Sequence, residues 1–173
     1  MPGDFKISAL RRLDERQLRE LSAVMIDCVE GGASIGFMWP MTQAKADAYW
    51  RGASASAERG ERVIVVAEDA LGVIVGTVSV VVSQPENQPH RADVAKMQVH
   101  RRARRCGVGE MLLEAAERVA AEAGKTLLVL DTASADAERL YARGHWQRCG
   151  VIPNYALMPD GAYCDTVVYF KAL

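Results

Sequence analysis

Apolar positions along the chain follow two rhythms, and each change of rhythm marks a change of element. Phe5 to Ala9 alternates as a short strand does. Leu18, Leu21, Met25 and Val29 then recur at helical spacing behind Asp14 and stop at Gly31-Gly32, which predicts a first helix. Thr42 is placed to cap a second helix through Ala44, Ala48 and Ala55 to Arg59, with a small apolar face interrupted by Gly52. The rhythm then switches. Val63 to Ala67 and Val73 to Val82 are β-branched runs joined by the turn Glu68-Asp69-Ala70-Leu71-Gly72, an antiparallel hairpin.

Val94 to His100 reads as another strand, and Val108, Leu112, Ala115, Val119 and Ala123 as a helix stopped by Gly124. Thr126 to Asp131 is again strand-like. Ser134 to Arg143 forms a helix with Ser134 as N-cap and Gly144 as its stop, followed by strands over Trp146 to Ile152 and Tyr163 to Phe170 with Pro159-Asp160-Gly161 between them. The expected order is βααβββαβαββ, an α/β chain with a mixed central sheet flanked by helices. A right-handed crossover makes the Val94 and Thr126 strands parallel neighbours. With no internal repeat and only loops at Gly31 to Gln43 and Gln84 to Arg91 to act as linkers, residues 1–173 are expected to form one domain.

Composition narrows the partners. Half of the 173 residues are hydrophobic and a quarter charged, the profile of a globular chain able to bury a core. Lys+Arg 21 against Asp+Glu 22 leaves a net charge of -1, which supplies no global field for nucleic acid or an anionic membrane, so neither is expected as a partner. Cys28, Cys106, Cys149 and Cys164 form no metal-ligand spacing, and no metal is expected. Met1 to Lys6 carries no apolar targeting core, and the most apolar stretch, Leu71 to Val82, is too short to span a bilayer. The expected compartment is the cytoplasm.

Chemistry concentrates where the Val94 strand runs through Arg101-Arg102-Ala103-Arg104-Arg105-Cys106-Gly107-Val108-Gly109 into a helix. Glycines at a strand-to-helix turn let successive N–H groups face one concavity, and the helix start adds about half a positive charge, so a phosphate group is the expected ligand. There is no Gly-Lys-Ser/Thr ending, and Leu112 stands where a dinucleotide fingerprint has glycine, which excludes both common phosphate loops. A solvated basic turn, or a nucleic-acid patch built on Arg101 to Arg105, remains the plainer alternative.

Arg104-Arg105-Cys106-Gly107-Val108-Gly109 matches Arg/Gln-x-x-Gly-x-Gly/Ala and resembles the acyl-CoA pyrophosphate signature of the GNAT acetyltransferase superfamily. The element order fits across nearly the whole chain, and Ala137 to Trp146 resembles the family's late helix with its tyrosine before a Gly-aromatic ending. Gly31 to Met38, Leu130-Asp131-Thr132 and Tyr163 to Leu173 look like the tabtoxin-resistance branch, whose members acetylate a β-lactam amino acid.

The resemblance implies acetyl-CoA as cosubstrate. It implies that the backbone of Met97, Gln98 and Val99 pairs with the pantetheine arm, and that Arg104, Arg105, Cys106, Gly107, Val108 and Gly109 hold the pyrophosphate. Tyr141 would protonate the departing thiolate, its phenol having a reference pKa of about 10. Cys106 replaces a residue that is commonly glycine, lysine or arginine, which leaves a backbone cradle intact. The tabtoxin-resistance likeness puts Asp131 and Asp93 at the acceptor site, and a lysine-like amine, about one part in a thousand neutral at pH 7, needs such a base. Because Asp131 closes one strand and Asp93 opens its parallel neighbour, they are expected at opposite strand ends. The loop with Ser34 and Phe37 suits a small-molecule acceptor. Tyr141 as a core aromatic, Asp131 as a cap, Asp93 as a surface acid and Gly31 to Met38 as a plain loop are the structural alternatives. His90, His100 and His145 form no triad. A non-catalytic acyl-CoA sensor is the rival function, and a homodimer is left open.

Overall fold

A computed structural model describes residues 4–173. The first residues of the Met1 to Lys6 run lie outside the described residues. The elements are β1 (Lys6–Leu10), α1 (Glu15–Glu30), α2 (Gln43–Glu58), β2 (Arg62–Glu68), β3 (Ile74–Val81), β4 (Arg91–Val99), α3 (Val108–Glu122), β5 (Leu127–Thr132), α4 (Ala135–Arg143), β6 (Gln147–Leu157) and β7 (Tyr163–Ala172). A 3-10 turn, Arg101–Ala103, absent from the sequence expectation, joins β4 to α3. The order matches the pattern read from the sequence.

The strands form one 7-stranded sheet in the order β1-β2-β3-β4-β5-β7-β6. All neighbours are antiparallel except β4 and β5. Alternation in β2 sorts the two faces: Val63, Val65 and Ala67 pack with Val108, Leu112 and Ala116 of α3, whereas Ile64 and Val66 pack with Leu21, Met25 and Trp50 of α1 and α2. Burying each Leu- or Ile-sized side chain contributes about 1.5–3 kcal/mol. The second helix, despite its small residues, is anchored by Trp50, which is fully buried. Asp14 caps α1 through a capping box with Gln17, and Thr42 caps α2 by accepting from the Lys45 N–H.

Several strand limits differ from the sequence expectation. β4 begins at Arg91 and not Val94, because Arg91, Ala92 and Asp93 pair with Leu127, Leu128 and Val129 of β5. β5 continues one residue past Asp131. β6 runs on to Leu157 through an irregularity between Ile152 and Ala156, where Asn154 has a φ of 51° and donates its N–H to Asp165 Oδ1. Among the described residues no helix is long and apolar enough to cross a membrane.

Candidate active site

β4 and β5 are hydrogen-bonded only over Arg91 to Asp93 and Leu127 to Val129. Beyond that point β4 continues to Val99 and β5 to Thr132 without pairing, so the two strands part like a V. The β4 edge facing this opening carries Met97, Gln98 and Val99. Gln98 is 2% exposed, and among the described residues both of its amide atoms lack a partner. Met97 and Val99 pack against the α3-side core.

The open end of the V is closed by the β4-α3 connection. Among the described residues, none of the consecutive N–H groups from Arg105 to Glu110 donates to a protein acceptor; the first donor back into the helix is Met111, to the Gly107 carbonyl. Gly107 caps α3 without a side-chain hydrogen bond and has a φ of 84°, a conformation open to glycine at little cost. Arg105 shares the left-handed region with a φ of 60°. These turns point a run of orphan donors outward at a helix start, which is the requirement for holding a phosphate anion. A Cβ on Gly109 would meet Leu140 Cδ2 of α4 at 3.3 Å, so this glycine admits α4 against the cradle.

The arginine run is mostly committed internally. Arg101 donates from its backbone N–H and from Nε to the Asp27 carboxylate at 2.8 and 2.7 Å, Arg102 reaches Asp69 Oδ2 at 2.7 Å, and Arg104 Nε donates to the Val99 carbonyl at 3.0 Å. Among the described residues only Arg105 of the four has no side-chain partner, which argues against a nucleic-acid patch and for a braced loop. Burial raises the pKa of Asp27, but the two hydrogen bonds from Arg101 and the nearby His100 outweigh it and leave the carboxyl below its ordinary value. Cys106 is half-buried, with its thiol 3.4 Å from the Arg104 carbonyl oxygen.

Asp131 lies beside the opening, two residues along β5 from the Val129 that pairs with Asp93. The register places the two carboxylates on neighbouring strands near the point of divergence and not at opposite strand ends; the expectation failed because β4 starts earlier and β5 ends later than their β-branched segments. Leu128 and Leu130 face α3, as do Ala92 and Val94, so Asp131 and Asp93 share the opposite face. Their surroundings differ. Asp93 is ion-paired with Arg91 and accepts from Gln84 Nε2 at 3.0 Å. Asp131 is exposed and accepts one hydrogen bond, from Thr166 Oγ1 to Oδ2 at 2.7 Å.

Tyr141 of α4 is 4% exposed, and its ring lies 5.9 Å from that of Trp146 and 5.7 Å from that of Tyr169. Its ring is thus packed among core aromatics. Burial, and then the charge of Asp131, push its phenol pKa up to about 12. The same Asp131 charge acts on Lys96, whose side chain no sequence argument singled out. Lys96 sits at a β-bulge in β4 with a φ of 55°, where Ala95 and Gln98 pair with Ser79 and Thr77 and leave two residues opposite one. The Gly31 to Met38 loop folds over it: Phe37 packs edge-on to Tyr49 at 5.5 Å, and Ser34 Oγ lies 3.6 Å from Cys164 Sγ of β7. Among the described residues no His/Cys/Asp/Glu group could hold a metal ion.

Comparison with known proteins gives this arrangement a family. The model described as "Acetyltransferase (GNAT) family" matches residues 15–146. A ribosomal-protein-alanine N-acetyltransferase from Brucella melitensis superposes with a TM-score of 0.79 at 23% identity, covering 97% of this chain and 99% of that one. An N-acetyltransferase from Staphylococcus aureus Mu50 gives 0.80 at 17% identity, covering 98% of each chain. An acetyltransferase-like structure from Salmonella typhimurium, which holds acetyl-CoA as its cofactor, gives 0.79 at 17% identity and covers 98% of this chain and 94% of its own. At such identities these structures speak for the fold.

Proposed function

Because this chain belongs to the GNAT acetyltransferase family, with its mixed α/β fold and N-acetyltransferase chemistry, we propose that residues 1–173 act as one domain that acetylates the amine, or less readily a hydroxyl, of a small molecule. Bound acetyl-CoA supplies the acetyl group as a thioester. The single observation that carries the reading is the run of orphan amides from Arg105 to Glu110 at the mouth of the β4-β5 opening. Those amides suit the pyrophosphate, and the β4 edge that β5 leaves unpaired over Met97, Gln98 and Val99, apart from the Val99 carbonyl that Arg104 occupies, suits the amide-bearing pantetheine arm.

Asp131 takes the proton from the acceptor amine, directly or through water, because among the described residues its Oδ1 has no protein partner and its Oδ2 is steadied by Thr166. Nitrogen then bonds to the acetyl carbon, the carbon–sulfur bond breaks, and Tyr141 gives its proton to the leaving sulfur. A phenol with its pKa near 12 is fully protonated at neutral pH and so always charged with the proton it must give. Asp93, neutralised by Arg91, is the weaker candidate for the base and contributes to the acceptor site through its charge and hydrogen bonding. Ser34 and Phe37 line the acceptor side. A β-lactam amino acid of the tabtoxin type is the first acceptor to try, and acetylating such a toxin would confer resistance. The free thiols suit a reducing cytoplasm.

Acetyl-CoA-dependent thiol release, measured over amino acids, β-lactam amino acids, aminoglycosides, polyamines and peptides, tests the reading. Turnover with one small-molecule class supports it. Acetyl-CoA binding with no release for any member would leave a sensor, and salt-dependent duplex DNA binding that CoA does not compete would favour the arginine patch.

A further inference from the structure

Lys96 is held in a place that a lysine occupies only at a cost. Its backbone is left-handed at a φ of 55°, and its side chain is half-buried beneath the loop that follows α1. The ammonium lies 5.7 Å from the centroid of Phe37 and 5.8 Å from that of Tyr49, within cation–π range of both. Gly36 closes the roof: a Cβ there would stand 3.2 Å from Nζ, and its own φ of 91° suits glycine. Among the described residues Nζ has no hydrogen-bond partner and no ion pair, so the cation of this half-buried lysine rests on two ring faces.

The charges around it set what can complete it. Burial lowers its pKa, the Asp131 charge raises it, and the nearby Arg62 lowers it further. Arg62 cannot accept a hydrogen bond, and its own donors go to Ser56 Oγ at 3.1 Å and the Tyr49 hydroxyl at 3.4 Å. Asp131 faces the side of the sheet opposite α3, and Lys96 meets Phe37 and Tyr49, which pack against the core on that same side. The acceptor side of the opening therefore carries a carboxylate and an ammonium with no hydrogen-bond partner among the described residues, the charge pattern complementary to a zwitterion.

Resting on the acetyltransferase reading above, we propose that Lys96 is a specificity-determining residue that binds the carboxylate of an amino-acid acceptor while Asp131 receives its amine. The acceptor class is then amines that carry a carboxylate within a few bonds of the nucleophilic nitrogen. The aromatic walls exclude water around the ammonium, which strengthens its pairing with an anion relative to a surface lysine. An amine lacking that anion leaves the half-buried ammonium unpaired and binds more weakly.

The test compares the best amino-acid acceptor with its carboxamide and its decarboxylated amine, in wild type, Lys96→Met and Lys96→Arg, reading kcat/KM for each together with acetyl-CoA affinity by calorimetry. Wild type is expected to prefer the free carboxylate by at least about 10-fold. Lys96→Met is expected to bring that ratio down by about 10-fold or more, chiefly through KM for the acid, while acetyl-CoA titrates as in wild type; Lys96→Arg retains most of the preference. A wild-type ratio near one, or a ratio in Lys96→Met equal to that of wild type, overturns the assignment and leaves the acetyltransferase reading standing. Loss of acetyl-CoA affinity in both variants makes Lys96 a structural residue and also overturns it. Absence of turnover for every acceptor, with acetyl-CoA bound, instead removes the acetyltransferase reading on which the inference rests.

Discussion

Thr166 Oγ1, on β7, donates a 2.7 Å hydrogen bond to Asp131 Oδ2 on β5, and it also approaches the Thr132 carbonyl at 3.3 Å. Thr166 is 3% exposed, whereas Asp131 is exposed, so a fixed group in the sheet holds a solvated carboxylate in place. Thr166→Val should lower kcat/KM for the acceptor by about 5-fold and leave acetyl-CoA affinity unchanged, and Thr166→Ser should restore most of the loss. Steady-state kinetics with calorimetric titration checks both. Rates unaffected by Thr166→Val would mean that Asp131 needs no orienting partner.

Tyr141→Phe keeps the ring that packs between Trp146 and Tyr169 and removes only the proton donor. The expected fall in kcat is about 100-fold, with acetyl-CoA affinity retained. The phenol has a further signature. Its folded pKa of about 12 lies above the unfolded value near 10, so its contribution to stability is complete below about pH 10 and is lost as pH rises through about 12. Denaturant unfolding at a series of alkaline pH values should show a shallower decline for Tyr141→Phe than for wild type in that window.

The two cradle glycines should fail differently. Gly107→Val forces a β-branched residue to a φ of 84°, at a cost of about 1–2 kcal/mol or more, and disturbs the donors around it. Gly109→Val drives its side chain into Leu140, displacing α4 and with it Tyr141. Both should weaken acetyl-CoA binding by about 10-fold or more in calorimetric titration, and Gly109→Val should in addition lower kcat. Wild-type affinity in both variants would remove the pyrophosphate assignment.

Asp27 links α1 to the start of the cradle through Arg101. Its folded pKa is depressed, so its contribution to stability is present above the unfolded carboxyl pKa of about 4 and is lost as pH falls through the lower folded value. Asp27→Asn should therefore destabilise the protein at neutral pH and unfold less steeply with acid than wild type, as read by circular dichroism across an acid titration. Its acetyl-CoA affinity should also fall, because the Arg101 backbone loses its anchor.

Much of this architecture is legible in the chain because burial and periodicity coincide. The β-branched runs of β2 and β3, the capped α1 and the glycine-bearing turn before α3 appear where their local patterns place them, and the family resemblance is what singles out Tyr141 and Asp131. What escapes depends on pairing partners distant in sequence. Arg91, Ala92 and Asp93 have weak strand character alone and become strand only against β5. Pro153 and Asn154 look like a loop, yet the irregularity they occupy lets β6 resume beside β7. Nothing local in the sequence marks Lys96, which the bulge turns beneath Phe37 and Tyr49. The arginine run reads as one basic patch until Asp27, Asp69 and the Val99 carbonyl divide it.

That Asp131 takes the acceptor's proton is tested most directly by the kinetics of Asp131→Asn with the best acceptor of the thiol-release screen, measured between about pH 6 and pH 9 alongside acetyl-CoA titration. Asparagine keeps the shape and can still accept from Thr166, but it cannot hold the proton. The predicted result is a fall in acceptor kcat/KM of at least about 100-fold with wild-type affinity for acetyl-CoA. Near-wild-type acceptor kinetics across that range would contradict it and leave Asp131 as a strand-end residue bonded to Thr166.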